Sequence, residues 1–200
     1  MKTITRFSLT LLAACALSTA SHAGTIIDTG TGGPSYYNGY SLDRTQWLGA
    51  QFTLDSAYTL TGVNGWMSAP SGGTLSMSIR TAADGKPASS LFSTDITAGS
   101  GMNQAWVGAS GLSWKLDAGT YFVAFEVPHN YNFNGSMAYD APRPSGQLVF
   151  TSDGNWRTTS GALGLQVFGE LTAADVPEPT SVALFSVALA GLAFSRRKRT

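Results

Sequence analysis

Of the 200 residues only one is cysteine, Cys15, and two are histidine, His22 and His129. Cys15 and His22 both fall within the first 23 residues, a segment with a character of its own. Beyond that segment the chain has no thiol, which excludes a disulfide framework, a thiolate nucleophile and a thiolate metal site. One remaining histidine can assemble neither a His-based triad nor a His-rich zinc site. Charge is scarce as well, at 12% of residues, and much of the positive charge sits at the two ends. From Gly24 to Asp175 six bases stand against eleven acids, a net charge of −5. Without a run of Lys or Arg this body cannot neutralise a phosphate backbone, so nucleic acid is not expected as a partner. Serines are plentiful, but there is no Gly-x-Ser-x-Gly elbow, no partner base and no glycine-rich phosphate loop. Neither cofactor nor metal is expected.

One catalytic option survives this composition, a pair of carboxylates. Glu126 and Glu170 could flank a glycosidic bond if the fold brought them together, although each also reads as a solvent-facing strand charge. Asp84-Gly85 and Asp153-Gly154 do not continue into an Asp-rich calcium loop and read as turns. The expectation is a protein that is not an enzyme, with an acid-dependent carbohydrate hydrolase as the alternative.

What is present is strand patterning. Residues 46–55 (QWLGAQFTLD) alternate Leu48, Ala50, Phe52 and Leu54 against Trp47, Gln51 and Thr53, the period of a half-buried strand. The same period runs through Leu75, Met77 and Ile79, and through Tyr121, Val123, Phe125 and Val127 against Phe122, Ala124 and Glu126. It returns in Leu163, Leu165 and Val167, with residues 147–151 as a shorter candidate. Leu60 and Val63 fall out of phase across Gly62, the mark of a bulge. Glycine-rich turn signals, Pro70-Ser71-Gly72-Gly73, Asp84-Gly85, Asp117-Ala118-Gly119, Asn134-Gly135 and Asp153-Gly154-Asn155, separate the runs. Short strands with such turns predict an all-β antiparallel sandwich of the jelly-roll kind over residues 24–171.

The two ends differ from this body. Residues 1–23 show a basic start (Lys2, Arg6), an apolar stretch from Phe7 to Leu17 and a small-residue exit, the layout of a secretory signal peptide cut between Ala23 and Gly24. Leu12-Ala13-Ala14-Cys15 resembles the bacterial lipobox, a rival in which Cys15 is lipidated. At the other end a linker, 172–179, leads to 16 uncharged residues, Thr180 to Ser195, and a basic tail, 196–200. As a helix the apolar segment measures about 24 Å, a marginal membrane span. The basic tetrad after it predicts a cytoplasmic C-terminus, with the body outside the inner membrane.

Val176-Pro177-Glu178-Pro179, the apolar segment and Arg196-Arg197-Lys198-Arg199 together resemble a PEP-CTERM sorting signal, over about an eighth of the chain. The resemblance implies export by the Sec machinery in a Gram-negative bacterium that makes extracellular polysaccharide, transient inner-membrane insertion, and processing by an exosortase. Pro177, Glu178 and Pro179 would then be recognition residues and the basic tetrad a stop. A weaker, pattern-level resemblance links the body to jelly-roll choice-of-anchor surface domains, through Gln51-Phe52-Thr53-Leu54, Thr74 to Arg80, Asp84-Gly85-Lys86-Pro87, Gly119-Thr120-Tyr121, Asp153-Gly154-Asn155-Trp156 and residues 165–169. Those domains have no established activity, and the resemblance bears on fold.

Aromatic side chains crowd two loops. Tyr36, Tyr37 and Tyr40 lie in a glycine-flanked stretch, and Tyr131, Phe133 and Tyr139 in another. Rings beside Asn and Asp can stack on sugar faces while the polar groups bond hydroxyls, which makes Tyr36, Tyr37 and Tyr40 the candidate glycan site. Rings with polar tips also serve as caps on the ends of a sandwich. Trp66, Trp106, Trp114 and Trp156 read as packing residues.

Overall fold

The computed structural model describes residues 24–33 and 39–172. Twelve strands occur among them: β1 (Gly24–Asp28), β2 (Gly39–Leu42), β3 (Trp47–Leu54), β4 (Tyr58–Ala69), β5 (Gly73–Ala83), β6 (Lys86–Ala98), β7 (Met102–Leu116), β8 (Gly119–Glu126), β9 (Gly135–Ala138), β10 (Leu148–Thr151), β11 (Arg157–Thr159) and β12 (Leu165–Leu171). They form two six-stranded antiparallel sheets in a sandwich-like arrangement, as the alternation predicts. One sheet runs β11-β10-β3-β8-β5-β6. In the other, β4 carries β7 on one edge and shares the opposite edge between β12 and β9, with β1 and β2 outermost.

The alternating residues make the core. Leu48, Phe52, Leu75, Met77, Ile79, Val123 and Phe125 of one sheet, and Leu60, Val63, Met67, Leu165 and Val167 of the other, are all fully buried. Each such side chain contributes about 1.5–3 kcal/mol relative to exposure, which is how a body without cysteine is held together.

The phase break across Gly62 is a bulge. On β12 the register passes from Gly169↔Leu60 to Phe168↔Gly62, and on β7 it shifts between the same two residues. Thr61 is therefore the extra residue, and the displaced pleat returns Val63 to the core face. Glycine fits at 62 because a Cβ there would stand 3.2 Å from the Ala109 carbonyl oxygen and 3.4 Å from the Phe168 ring. At the β5–β6 hairpin, Asp84 and Gly85 both take positive φ, 52° and 70°, which makes Asp84-Gly85 a two-residue primed turn between Ala83 and Lys86.

One expectation needs correcting. The second face of β8 reads as the less apolar, outward side, yet Phe122 and Ala124 are both fully buried. β8 is an interior strand, paired on both edges, and places Phe122 between Gln51 and Arg80 and Ala124 between Gly49 and Ser78. Cross-strand neighbours this close shield one another, so an interior strand departs from simple alternation.

The signal peptide and its Ala23 cleavage position lie outside the described residues. So do Tyr36, Tyr37, Cys15 and everything after Thr172, including Val176, Pro177, Glu178, Pro179, the apolar segment and Arg196 to Arg199. Among the described residues no helix is long and apolar enough to cross a membrane.

Candidate functional site

Three loops meet beside the start of β3: the β2–β3 turn, the β8–β9 connection and the β10–β11 turn. The first is tied by Asp43, whose Oδ1 accepts from the Thr45 N–H at 2.7 Å, the Thr45 hydroxyl at 2.6 Å and the Gln46 N–H at 3.2 Å. Backbone bonds between Asp43 and Gln46 close it, so Arg44 and Thr45 stand at the tip. Arg44 Nε donates to the Tyr131 carbonyl at 2.7 Å and staples this turn to the β8–β9 connection. That connection is held in turn by Asn132 Oδ1, which accepts from the Thr74 N–H at 2.9 Å, and by the Phe133 N–H donating to the Thr74 carbonyl at 3.2 Å. The β10–β11 turn has Gly154 at φ 82° and an Asp153–Arg157 ion pair.

Two clefts share Arg44 and Thr45. One, of about 480 Å³, lies against Asn132, Phe133 and Asn134. The other, of about 470 Å³, is bounded by Trp47, Val127, Pro128, His129, Ser152, Asp153 and Gly154. A recess of about 50 Å³ lies among Arg44, Thr45, Trp47, Thr151, Ser152 and Gly154. Trp47 and Thr151 face each other in the β3–β10 register. Trp47 Nε1 and Thr151 Oγ1 are both buried without a hydrogen-bond partner, and Thr151 is only 2% exposed. Buried polar atoms are nearly always satisfied, so two orphans side by side next to open space mark a place where something polar belongs.

Of the aromatic loops, the described rings are engaged within the fold. Tyr40 is half-buried, its ring 4.8 Å from that of Tyr139 and its hydroxyl 3.0 Å from the Thr159 hydroxyl, so it ties β2 to the β11 region as a packing residue. Of the second group, Phe133 is in the core, while Tyr131 donates to Asp95 Oδ1 at 2.6 Å. The bond to that carboxylate, with partial desolvation, holds the Tyr131 phenol above its ordinary range. Trp66 meets Trp106 edge-on at 5.3 Å, and Trp114 stacks on Phe92 at 5.4 Å.

The two candidate carboxylates are not brought together. Glu126 lies on β8 and binds Arg80 Nη1 at 3.0 Å, whereas Glu170 lies near the end of β12 in the other sheet, opposite Thr59. Burial pushes the Glu126 carboxyl up, and Arg80 opposes the shift without cancelling it. Among the described residues no three of His, Cys, Asp and Glu are placed to hold a metal ion.

Sequence reasoning missed Trp47, Thr151 and Arg44 as a group. Trp47 carried a signal, since it is a large ring on the polar phase of a strand, one step past a tight Asp-Arg-Thr turn. Nothing in sequence places Thr151 beside it, because the pairing of β10 with β3 spans about 100 residues of chain.

A family model, the PEP-CTERM protein-sorting motif, matches residues 175–198. The chain carries a PEP-CTERM sorting signal. The matched span takes in Val176, Pro177, Glu178 and Pro179, the apolar segment, and Arg196 to Lys198, ending one residue before Arg199. No curated protein matches the chain. The PEP-CTERM signal supports export, a transient membrane anchor and exosortase-dependent sorting, with the exosortase as processing partner.

Proposed function

We propose that this chain is a non-enzymatic protein of the cell surface or extracellular matrix of a Gram-negative bacterium. It is exported by the Sec machinery, held briefly in the inner membrane and released by an exosortase, and its sandwich binds extracellular polysaccharide. The observation that carries this reading is the sorting motif at 175–198. Two features of the body support the binding role: a loop-end cleft of mixed aromatic and polar lining, and a net charge of −5 over residues 24–175 with no basic run. The separation of Glu126 and Glu170 onto different sheets weighs against the hydrolase alternative.

Mass spectrometry of the mature protein from its host tests the sorting half. The expected termini are Gly24 and a residue near Pro177 to Thr180. A mature form embedded in the inner membrane and still carrying Arg196 to Arg199 would sink the exosortase reading, and a lipid on Cys15 would sink cleavage after Ala23. For the binding half, the processed protein is expected to be retained on host polysaccharide without releasing reducing ends. Release of reducing ends, lost in Glu126→Gln or Glu170→Gln, would establish the hydrolase instead.

A further inference from the structure

We propose that the cleft between the β2–β3 and β10–β11 turns is the sugar subsite of this protein, and that the small recess beside it, lined by Trp47 and Thr151, takes one hydroxyl of the bound sugar. The inference rests on the polysaccharide reading above and assigns it a place other than the Tyr36-Tyr37-Tyr40 loop. Three observations carry it. The cleft, about 470 Å³, falls in the size range of small-molecule sites. Its wall is amphipathic: Trp47 and Pro128 offer apolar surface, while Thr45 and Ser152 offer hydroxyls and Arg44 a cation that takes part in no ion pair among the described residues. The adjoining recess is lined by Trp47 and Thr151, whose Nε1 and Oγ1 are buried, unsatisfied and of complementary capacity. The indole N–H can only donate, and the threonine hydroxyl can donate and accept.

That combination selects the ligand class. One sp³ hydroxyl can accept from the indole N–H and donate to the threonine oxygen, while the Asp153 carboxylate in the cleft lining and the net charge of −5 over residues 24–175 disfavour a carboxylate or phosphate. The indole and the proline suit the C–H face of a sugar ring. The recess beside Thr151, about 50 Å³, is too small for a ring and large enough for a hydroxymethyl arm or for one ordered water. The ring therefore sits in the wider cleft and sends one hydroxyl inward. Leaving the two atoms unpaired costs the native state stability, and a bound hydroxyl relieves that cost.

The test uses the processed protein from its host and NMR of the indole N–H resonances, of which there are five. Trp47→Phe assigns one of them while keeping a ring in place. Titration with glucose, galactose and mannose, followed by retention on immobilised β-glucan, galactan and mannan, is expected to move the Trp47 resonance selectively. Thr151→Val, nearly isosteric, is expected to weaken binding about tenfold and to leave the melting temperature unchanged or higher, because it removes a buried unpaired hydroxyl. If the Trp47 resonance is unmoved by every sugar, the recess holds structural water only and the subsite is overturned. Retention that survives Trp47→Phe and Thr151→Val but is lost when Tyr36, Tyr37 and Tyr40 become Ala would overturn this subsite and leave the polysaccharide reading standing. Absence of retention in the parent protein would sink both.

Discussion

At the scale of single residues, the Glu126–Arg80 pair is the clearest case of burial outweighing charge. The side chains are only 12% and 23% exposed, and desolvation lifts the glutamate carboxyl despite a guanidinium 3.0 Å away. The sign of its linkage follows. Between the unfolded value, near 4.3, and the raised native pKa the folded protein holds a proton that the unfolded chain has already lost. The stability from Glu126 is thus complete below the unfolded pKa and lost as pH rises through the native one. Thermal melts of Glu126→Gln against the parent should show a difference that grows in favour of the variant as pH rises through that window. A difference independent of pH would contradict the assignment. Gly65 shows close packing at the same scale, since a Cβ there would stand 2.6 Å from Phe125 Cζ and 2.8 Å from Met137 Cε. Gly65→Ala is expected to destabilise by about 1–3 kcal/mol as overpacking, read as a lowered melting temperature.

Among the elements, the hairpin of β5 and β6 depends on its turn. A side chain at Gly85 would meet nothing within 4 Å, so the penalty of Gly85→Val is that of its φ of 70° alone. It should amount to about 1–2 kcal/mol, measurable by chemical denaturation, while the same change at an exposed β6 position such as Ser89 should have little effect. β8 depends on its core face instead. Phe125→Asp places an unpaired charge among fully buried neighbours and is expected to unfold the body, because the cost rivals a whole domain's stability of about 5–15 kcal/mol. A variant that melts like the parent would mean that the register of β3, β8 and β5 is wrong. The alternation of β3, β5 and β8 was legible because apolar and polar residues keep strict phase there. β6 and β7 were not, since strands of 13 and 15 residues with so much Ser, Thr and Gly carry little period-two contrast.

For the whole molecule, topology governs folding. β1 pairs with β12, Gly24 opposite Gly169, so the two ends of the body must meet across nearly its whole length of chain. Closing such loops before their contacts reward the chain is slow, and refolding followed by tryptophan fluorescence should fall in the millisecond-to-second range of non-local β folds. A microsecond phase that completes the signal change would argue against the described pairing. The body holds no cysteine and relies on its two-sheet core rather than on disulfides.

By itself the sequence determined the class of fold, the bulge at Gly62, a turn at Asp84-Gly85 and the sorting tail, because each is written in neighbouring residues. Strand period, glycine conformation and a contiguous motif read by an exosortase need no distant partner. Only the tertiary structure decided that Phe122 is buried, that Glu126 and Glu170 lie on separate sheets, that Tyr40 serves packing, and that Trp47 and Thr151 line one recess. Each of these depends on which strands become neighbours, a choice made by the burial of all the apolar faces together. No local stretch of the chain contains it.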